Sequence, residues 1–233
     1  MFFSPPKKKL AFTNELSILG EKINQVYETK FLGVMLDSKL SWQAHIEYIS
    51  KKISKGIGIL CKARKYLTKS CLITLYYSFI YPYMNYCLEV WGKCIQTNFS
   101  KIFVLQKRAI RIINSSPWRA SSQPIFDELK ILPLNKIYIY KMGIMMYKFD
   151  KNLLPTIFND IFNKNNQVHG HNTRQHFHVP PITNSNRQRT VRYQGPIIGN
   201  YIFRQLSLSE KSWALLTYKN YLRKYLRENQ IDL

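Results

Sequence analysis

Acidic residues are scarce in this chain of 233 residues: 13 Asp and Glu stand against 35 Lys and Arg, a formal charge of +22. Charged residues of both signs make up only 21% of the sequence, under the ~25% usual for soluble domains, so the imbalance comes from missing carboxylates rather than surplus cations. No Asp-Asp pair occurs anywhere. The nearest pairing, Asp127-Glu128, falls in a short helical stretch where consecutive side chains diverge by ~100°. No local carboxylate pair is therefore available to hold two metal ions. Gly-rich phosphate loops, nucleophile elbows and zinc-knuckle spacings are absent as well.

Cysteine is limited to Cys61, Cys71, Cys87 and Cys94, without a Cys-x-x-Cys pair. Three lie in helical apolar patterns, where small buried thiols in a reducing compartment are expected. No apolar run reaches the ~20 residues of a membrane span; the best, 72–86, is broken by Pro82. A secretory signal is missing too, since Met1-Phe2-Phe3-Ser4 meets Pro5 and three lysines at once. An intracellular chain without a membrane partner is expected, in nucleus or cytoplasm with the nucleus favoured. Pro5-Pro6-Lys7-Lys8-Lys9 reads either as a nuclear address or as a solvated basic turn. His169-Gly-His171 and His176-Phe-His178 have no cysteine or carboxylate near them in sequence to complete a zinc shell, so no metal is assigned.

What the chain does have is 45% hydrophobic and 14% aromatic residues, enough to build a core. The pattern predicts a mainly α fold: a helical bundle preceded by a small antiparallel β-hairpin region. Residues 10–29 read as two short strands around Gly20-Glu21. Phe31, Leu32, Val34, Met35 and Leu36 form a β-rich run interrupted by Gly33, and Asp37-Ser38-Lys39 supplies turn chemistry. From Ser41, read as an N-cap, Trp42, Ile46, Ile49, Ile53, Ile57 and Leu60 keep helical spacing to about Tyr66. Lys51, Lys55, Lys62 and Lys65 share a narrow arc opposite that stripe.

Residues 70–81 are apolar nearly all round and predict a helix central to the core, ended or kinked by Pro82. Its tyrosines read as core, with base stacking as the other use of such rings. A helix capped by Thr97 or Asn98 runs to Asn114, with Ile102, Leu105, Ala109 and Ile112 inward and Lys101, Arg108 and Arg111 outward. In the following loop Trp118-Arg119 either anchors the loop or stacks on a base. Short helices are expected at 124–129 and 155–162, flanking a buried helix over 134–150 started by Pro133. Residues 163–189 read as a long basic loop. A last helix, capped by Ser209, runs to Asn229. Three regions follow: 1–40, 41–162 and 163–233.

Phe31-Leu-Gly-Val-Met-Leu-Asp37 with Leu40-Ser-Trp42 and His45-Ile46 resembles the end of the palm and start of the thumb in reverse transcriptases of non-LTR retrotransposons, jockey-like elements especially. Leu75-Tyr-Tyr-Ser-Phe-Ile-Tyr-Pro-Tyr83, Tyr86-Cys87 with Trp91-Gly92, Leu105-Gln-Lys-Arg-Ala-Ile-Arg-Ile-Ile113 and Val191-Arg-Tyr-Gln-Gly-Pro196 are similar to the same family, in matching order. The resemblance implies that Phe31, Leu32 and Gly33 belong to a primer grip and that the helices form a thumb. It also implies that the catalytic carboxylates and their divalent ion, Mg, belong to a palm segment upstream of Met1.

The chain is thus expected to be a truncated RNA-directed DNA polymerase, keeping template and primer contacts but lacking the catalytic carboxylates and any cofactor of its own. Its expected partners are RNA and DNA, as a template–primer hybrid, contacted by Lys51, Lys55, Lys62, Lys65, Lys101, Arg108, Arg111, Arg174, Arg187, Arg189 and Arg192. The alternatives are a stand-alone basic RNA- or DNA-binding protein derived from such an element, a protein-interaction scaffold, or a relic without function.

Overall fold

The computed structural model describes residues 1, 3, 16–169, 175–182, 184–207, 213–229 and 231, residue 169 by its backbone alone. Four strands come first: β1 (Ser17–Ile18), β2 (Glu21–Lys22), β3 (Glu28–Phe31) and β4 (Val34–Asp37). The helices are α1 (Gln43–Ala63), α2 (Lys69–Phe79), α3 (Tyr81–Asn85), α4 (Leu88–Trp91), α5 (Gln96–Ile113), α6 (Ser122–Leu129) and α7 (Leu134–Asp150). They continue with α8 (Asn165–His169), α9 (Ser185–Gln188), α10 (Val191–Leu206) and α11 (Leu215–Glu228). The fold is mainly α, as its sequence pattern predicts. No described helix is long and apolar enough to cross a membrane.

Two compact units are present, residues 1–87 with 94–113 and residues 88–93 with 114–233. β4 packs directly on α1 and so joins the β3–β4 hairpin to the first helices.

In the first unit β1 pairs antiparallel with β2, and β3 with β4 in the register Glu28↔Asp37 to Phe31↔Val34. The expected stripe of α1 is buried at Ile46, Ile49, Ile53, Ile57 and Leu60, and α1 packs on α5. Each such aliphatic side chain contributes about 1.5–3 kcal/mol of transfer free energy. From α5, Ile102, Ala109, Ile110 and Ile113 are buried, with Gln106 among them. Gln106 Nε2 donates to the Tyr76 hydroxyl at 3.0 Å, which satisfies both polar groups in the core.

Several expectations change here. α1 starts at Gln43, not at a Ser41 cap, and ends at Ala63; α5 starts at Gln96, and Asn98 lies buried within it. α2 is not central: among its residues only Leu72 and Tyr76 are buried, while Tyr77 and Phe79 are exposed. An apolar circumference alone does not say how many neighbours a helix has. α2 does end at Phe79, just ahead of Pro82 as expected, and Pro82 itself sits in the first turn of α3, where a missing N–H is harmless. Of the cysteines only Cys94 is buried, and Cys71 is exposed.

The second unit is arranged around α7, on which α4, α10 and α11 all pack. Its buried positions, from Leu134 through Ile137, Met142 and Met146 to Phe149, run round the helix as its sequence predicts. Gly143 makes the crowding possible, for a Cβ there would lie 2.5 Å from Ile202 Cδ1 and 3.0 Å from Leu222 Cδ2. Tyr147 and Tyr218 stack with centroids 4.0 Å apart; their hydroxyls donate to the Trp213 and Gly143 carbonyls.

Sequence reading missed α10, whose Gly195, Pro196 and Gly199 disguise the helical period. The short helix expected at 155–162 is a 3₁₀ helix over Thr156–Asp160, and Ser209, the expected cap of the last helix, lies outside the described residues. The described parts of the expected loop 163–189 are tied down around Lys164 and Phe177. Lys164 bridges to Phe177, and the Phe177 N–H donates to Asn200 Oδ1 at 2.7 Å while Asn200 Nδ2 donates to the Phe177 carbonyl at 2.9 Å.

Asp150 fastens that segment to α7. His176 Nε2 lies 2.7 Å and Lys164 Nζ 2.9 Å from its Oδ1, with Lys151 Nζ 3.3 Å from Oδ2. Burial alone would raise this carboxyl, but the hydrogen bonds from His176 and Lys164 outweigh it and hold it well below the usual carboxylate range. A depressed carboxyl stabilises the folded state above its unfolded value near pH 4 and loses that contribution as pH falls. Asp150→Asn is therefore expected to lower stability by about 2–3 kcal/mol at pH 7, with the gap to wild type narrowing below pH 4. Urea unfolding at pH 7 and pH 3 measures both, and a gap of equal size at the two pH values would refute the ion cluster.

Candidate nucleic-acid interface

The hairpin β3–β4 turns through Leu32 (φ 45°) and Gly33 (φ 83°), two consecutive left-handed residues. Positive φ at both corners is the geometry that matches the twist of the flanking strands, and glycine adopts it without strain. The Tyr86 hydroxyl donates to the Leu32 carbonyl at 2.6 Å, and a Cβ on Gly33 would stand 3.3 Å from the Tyr86 ring. The glycine thus makes the turn, and a tyrosine ring lies against it. Phe31 and Leu32 are 60% and 75% exposed at the tip.

Asp37, the last residue of β4, joins the hairpin to α1. Its carboxylate accepts the N–H groups of Lys39, Ser41 and Trp42 at 2.9–3.0 Å and the Ser41 hydroxyl at 3.2 Å. Leu40 and Trp42 both carry positive φ, so the chain is wrapped tightly around that carboxylate. One turn into α1, His45 is 1% exposed and its Nδ1 accepts from the Met35 N–H at 3.4 Å. Burial pushes the His45 imidazole down to about 4.

Beyond this joint the cations line up. Lys51, Lys55 and Lys62 are exposed on α1, and Lys65 is exposed just past its end. At 1.5 Å per residue Lys51 and Lys62 stand about 16 Å apart along one face. Lys101 and Arg108 are exposed on α5, seven residues and therefore two turns apart. Arg111 differs from expectation: it is half-buried and engaged in a contact rather than pointing freely outward. In the second unit Arg187, Arg189 and Arg192 are exposed around α9 and the start of α10. Arg174 and Pro5–Lys9 lie outside the described residues, as do the side chains of His169 and His171. Among the described residues no three His, Cys, Asp or Glu side chains are grouped so as to hold a metal.

None of Lys51, Lys55, Lys62, Lys65, Lys101 and Arg108 has a carboxylate within ion-pair distance among the described residues. Sequence reading missed the roles of four residues of this region: Lys30, Tyr48, Lys52 and Tyr86. Tyr48 carries Lys30 Nζ 5.2 Å and Lys52 Nζ 5.7 Å from its ring centroid, drawing a cation from β3 beside one from α1. The i, i+4 spacing of Tyr48 and Lys52 was readable in advance; Lys30 and the Tyr86 support of the turn depend on tertiary contact.

Searches against known proteins find relatives for about half of the chain. It is 30% identical over 120 residues to an RNA-directed DNA polymerase from mobile element jockey of Drosophila melanogaster, covering 50% of this chain and 13% of that protein. The corresponding jockey polymerase of Drosophila funebris is 29% identical over 131 residues, 52% of this chain and 14% of that protein. A probable RNA-directed DNA polymerase from transposon BS of Drosophila melanogaster is 23% identical over 122 residues, 51% of this chain and 14% of that protein. The matched region thus spans about one seventh of these relatives' length. No family model and no solved structure matches the chain. The relatives support a jockey-like reverse-transcriptase region, as the separated sequence phrases imply.

Two outcomes test the hairpin and its joint. Gly33→Ala places a Cβ against Tyr86 in a left-handed conformation and is expected to destabilise the chain by about 1–2 kcal/mol in urea unfolding; an unchanged midpoint would refute the Tyr86-backed turn. His45 has a folded pKa below its unfolded value near 6.5, so protonation favours unfolding and stability falls as pH drops from about 6.5 toward 4. The expected loss between pH 7.5 and 5 is about 2 kcal/mol, and His45→Gln removes that part of the slope. Equal slopes in wild type and variant would contradict the buried neutral imidazole.

Proposed function

We propose that this chain is the post-catalytic part of an RNA-directed DNA polymerase and that its own work is to hold a template–primer hybrid through its phosphates. The observation that carries this reading is the set of exposed cations Lys51, Lys55 and Lys62 on α1, Lys65 just past it, and Lys101 and Arg108 on α5, none with a carboxylate at ion-pair distance among the described residues. Like charges held along rigid helical faces repel one another, and a phosphate backbone relieves that repulsion while releasing its own counter-ions. The hairpin tip Phe31-Leu32-Gly33 supplies a firm, apolar, exposed edge in the same unit, suited to the end of a strand rather than to its charged flank.

Nucleotide transfer is not assigned to these residues. It requires carboxylates poised over two metal ions, the sequence contains no Asp-Asp pair, and the divalent ion that the resemblance implies belongs with such carboxylates. Within the second unit, taken by itself, Arg187, Arg189 and Arg192 are further exposed candidates for phosphate contact.

Binding of an RNA–DNA hybrid across a salt series tests the reading. Log affinity is expected to fall linearly with log salt, and the combined Lys51→Ala, Lys55→Ala, Lys62→Ala variant to reduce the slope by about 2–3, at roughly 0.9 per phosphate contact, whatever the sequence. Binding that ignores salt, or a slope unchanged in the variant, would overturn it. Equal affinity for hybrid and for any single strand would instead favour a general basic binding protein.

A further inference from the structure

The loop from α5 to α6 contains a turn that the proposed phosphate contacts leave unused. Its start is pinned by Asn114 Nδ2, which donates to Glu128 Oε2 and to Ser116 Oγ, each at 3.1 Å. The Ala120 N–H then donates to the Pro117 carbonyl at 3.0 Å, closing a four-residue turn with Trp118 and Arg119 at its two central positions. Proline before the corner restricts the backbone further.

Trp118 is 76% exposed, which overturns the anchoring alternative: this ring does not hold the loop to a core. Arg119 lies over the indole, its guanidinium carbon 4.9 Å from the ring centroid. Among the described residues Trp118 has no other ring neighbour and Arg119 no carboxylate. The turn therefore presents a large flat apolar surface beside an unneutralised cation on a hydrogen-bonded base. Apolar area of this size held out in water gives the fold nothing, and the residues from 114 to 121 include no acid to draw a cationic partner.

We infer that Trp118 and Arg119 form a stacking platform for an unpaired nucleobase, with Arg119 also facing the adjoining phosphate. Every base has a π-face, so the platform takes any unpaired base without reading its edge. A paired base inside a duplex is unavailable, since its faces are already stacked on its neighbours. The site thus adds single-strand selectivity to the sequence-blind phosphate binding proposed above, and it rests on that reading.

The test compares the full-length chain with labelled oligothymidylate and with an abasic oligonucleotide of equal length, by fluorescence anisotropy at low salt. Wild type is expected to bind the base-bearing strand roughly ten-fold tighter. Trp118→Ala erases that preference and leaves abasic binding unchanged, which also shows that the variant is folded, whereas Trp118→Phe keeps most of it. Equal wild-type affinity for the two strands, or a preference that survives Trp118→Ala, overturns the platform while phosphate binding stands. A Trp118-dependent preference for blunt duplex ends over the unpaired strand overturns it in favour of end-capping. Failure to bind either oligonucleotide at low salt removes the phosphate-binding reading, and the platform with it.

Discussion

The carboxylate of Asp37 is the constraint on which the first unit turns. Three backbone N–H groups and one hydroxyl converge on it within five residues, at a place where two non-glycine residues take left-handed backbone conformations. Such conformations are unfavourable by themselves, and they persist where hydrogen bonds over-determine them. Their effect is to reverse the chain from β4 into α1 without a long loop. The direction of the turn tip and the rotational setting of the lysine face are thereby fixed relative to one another, and the buried His45 contact to Met35 reinforces the same joint.

The second unit solves its packing differently. α7 has no polar face to turn toward water, so neighbours must cover it on several sides, and Gly143 is where they come closest. Asp150, at the end of α7, gathers the ammonium groups of Lys151 and Lys164 and the His176 imidazole, so that these side chains are engaged in the fold itself.

Periodicity made much of this legible. The stripes of α1 and α5, the all-round burial of α7, the hairpin region and the outward lysines follow from spacing alone, because each is a local consequence of 3.6-residue or two-residue repeats. Other features depend on residues far apart in the chain. Tyr86 meets Gly33 from 53 positions away, and the His176 that sequence reading left without a carboxylate finds Asp150 26 residues before it. α2 shows the opposite limit, since apolar composition promised a core helix and the neighbours that would cover it are missing on one side. α10 was hidden because Gly and Pro within it carry close packing rather than chain reversal.

The scarcity of acid connects these observations. Among the described carboxylates, Asp37 holds a chain reversal, Asp150 a cation cluster, Glu89 an ion pair with Lys141 at 2.8 Å, and Glu128 the base of the Trp118 loop. Carboxylates so committed to structural contacts leave few to balance the exposed faces, and that holds for α1, for α5 and for the Trp118 turn alike. Adding acids to those faces would ease repulsion and raise solubility, so their absence has a stability cost that a soluble scaffold has no reason to bear. A surface that must exchange its counter-ions for a phosphate backbone has one. Under the proposed reading the net charge of +22 is a division of labour, with the described carboxylates committed to structural contacts and the exposed cations left for phosphates.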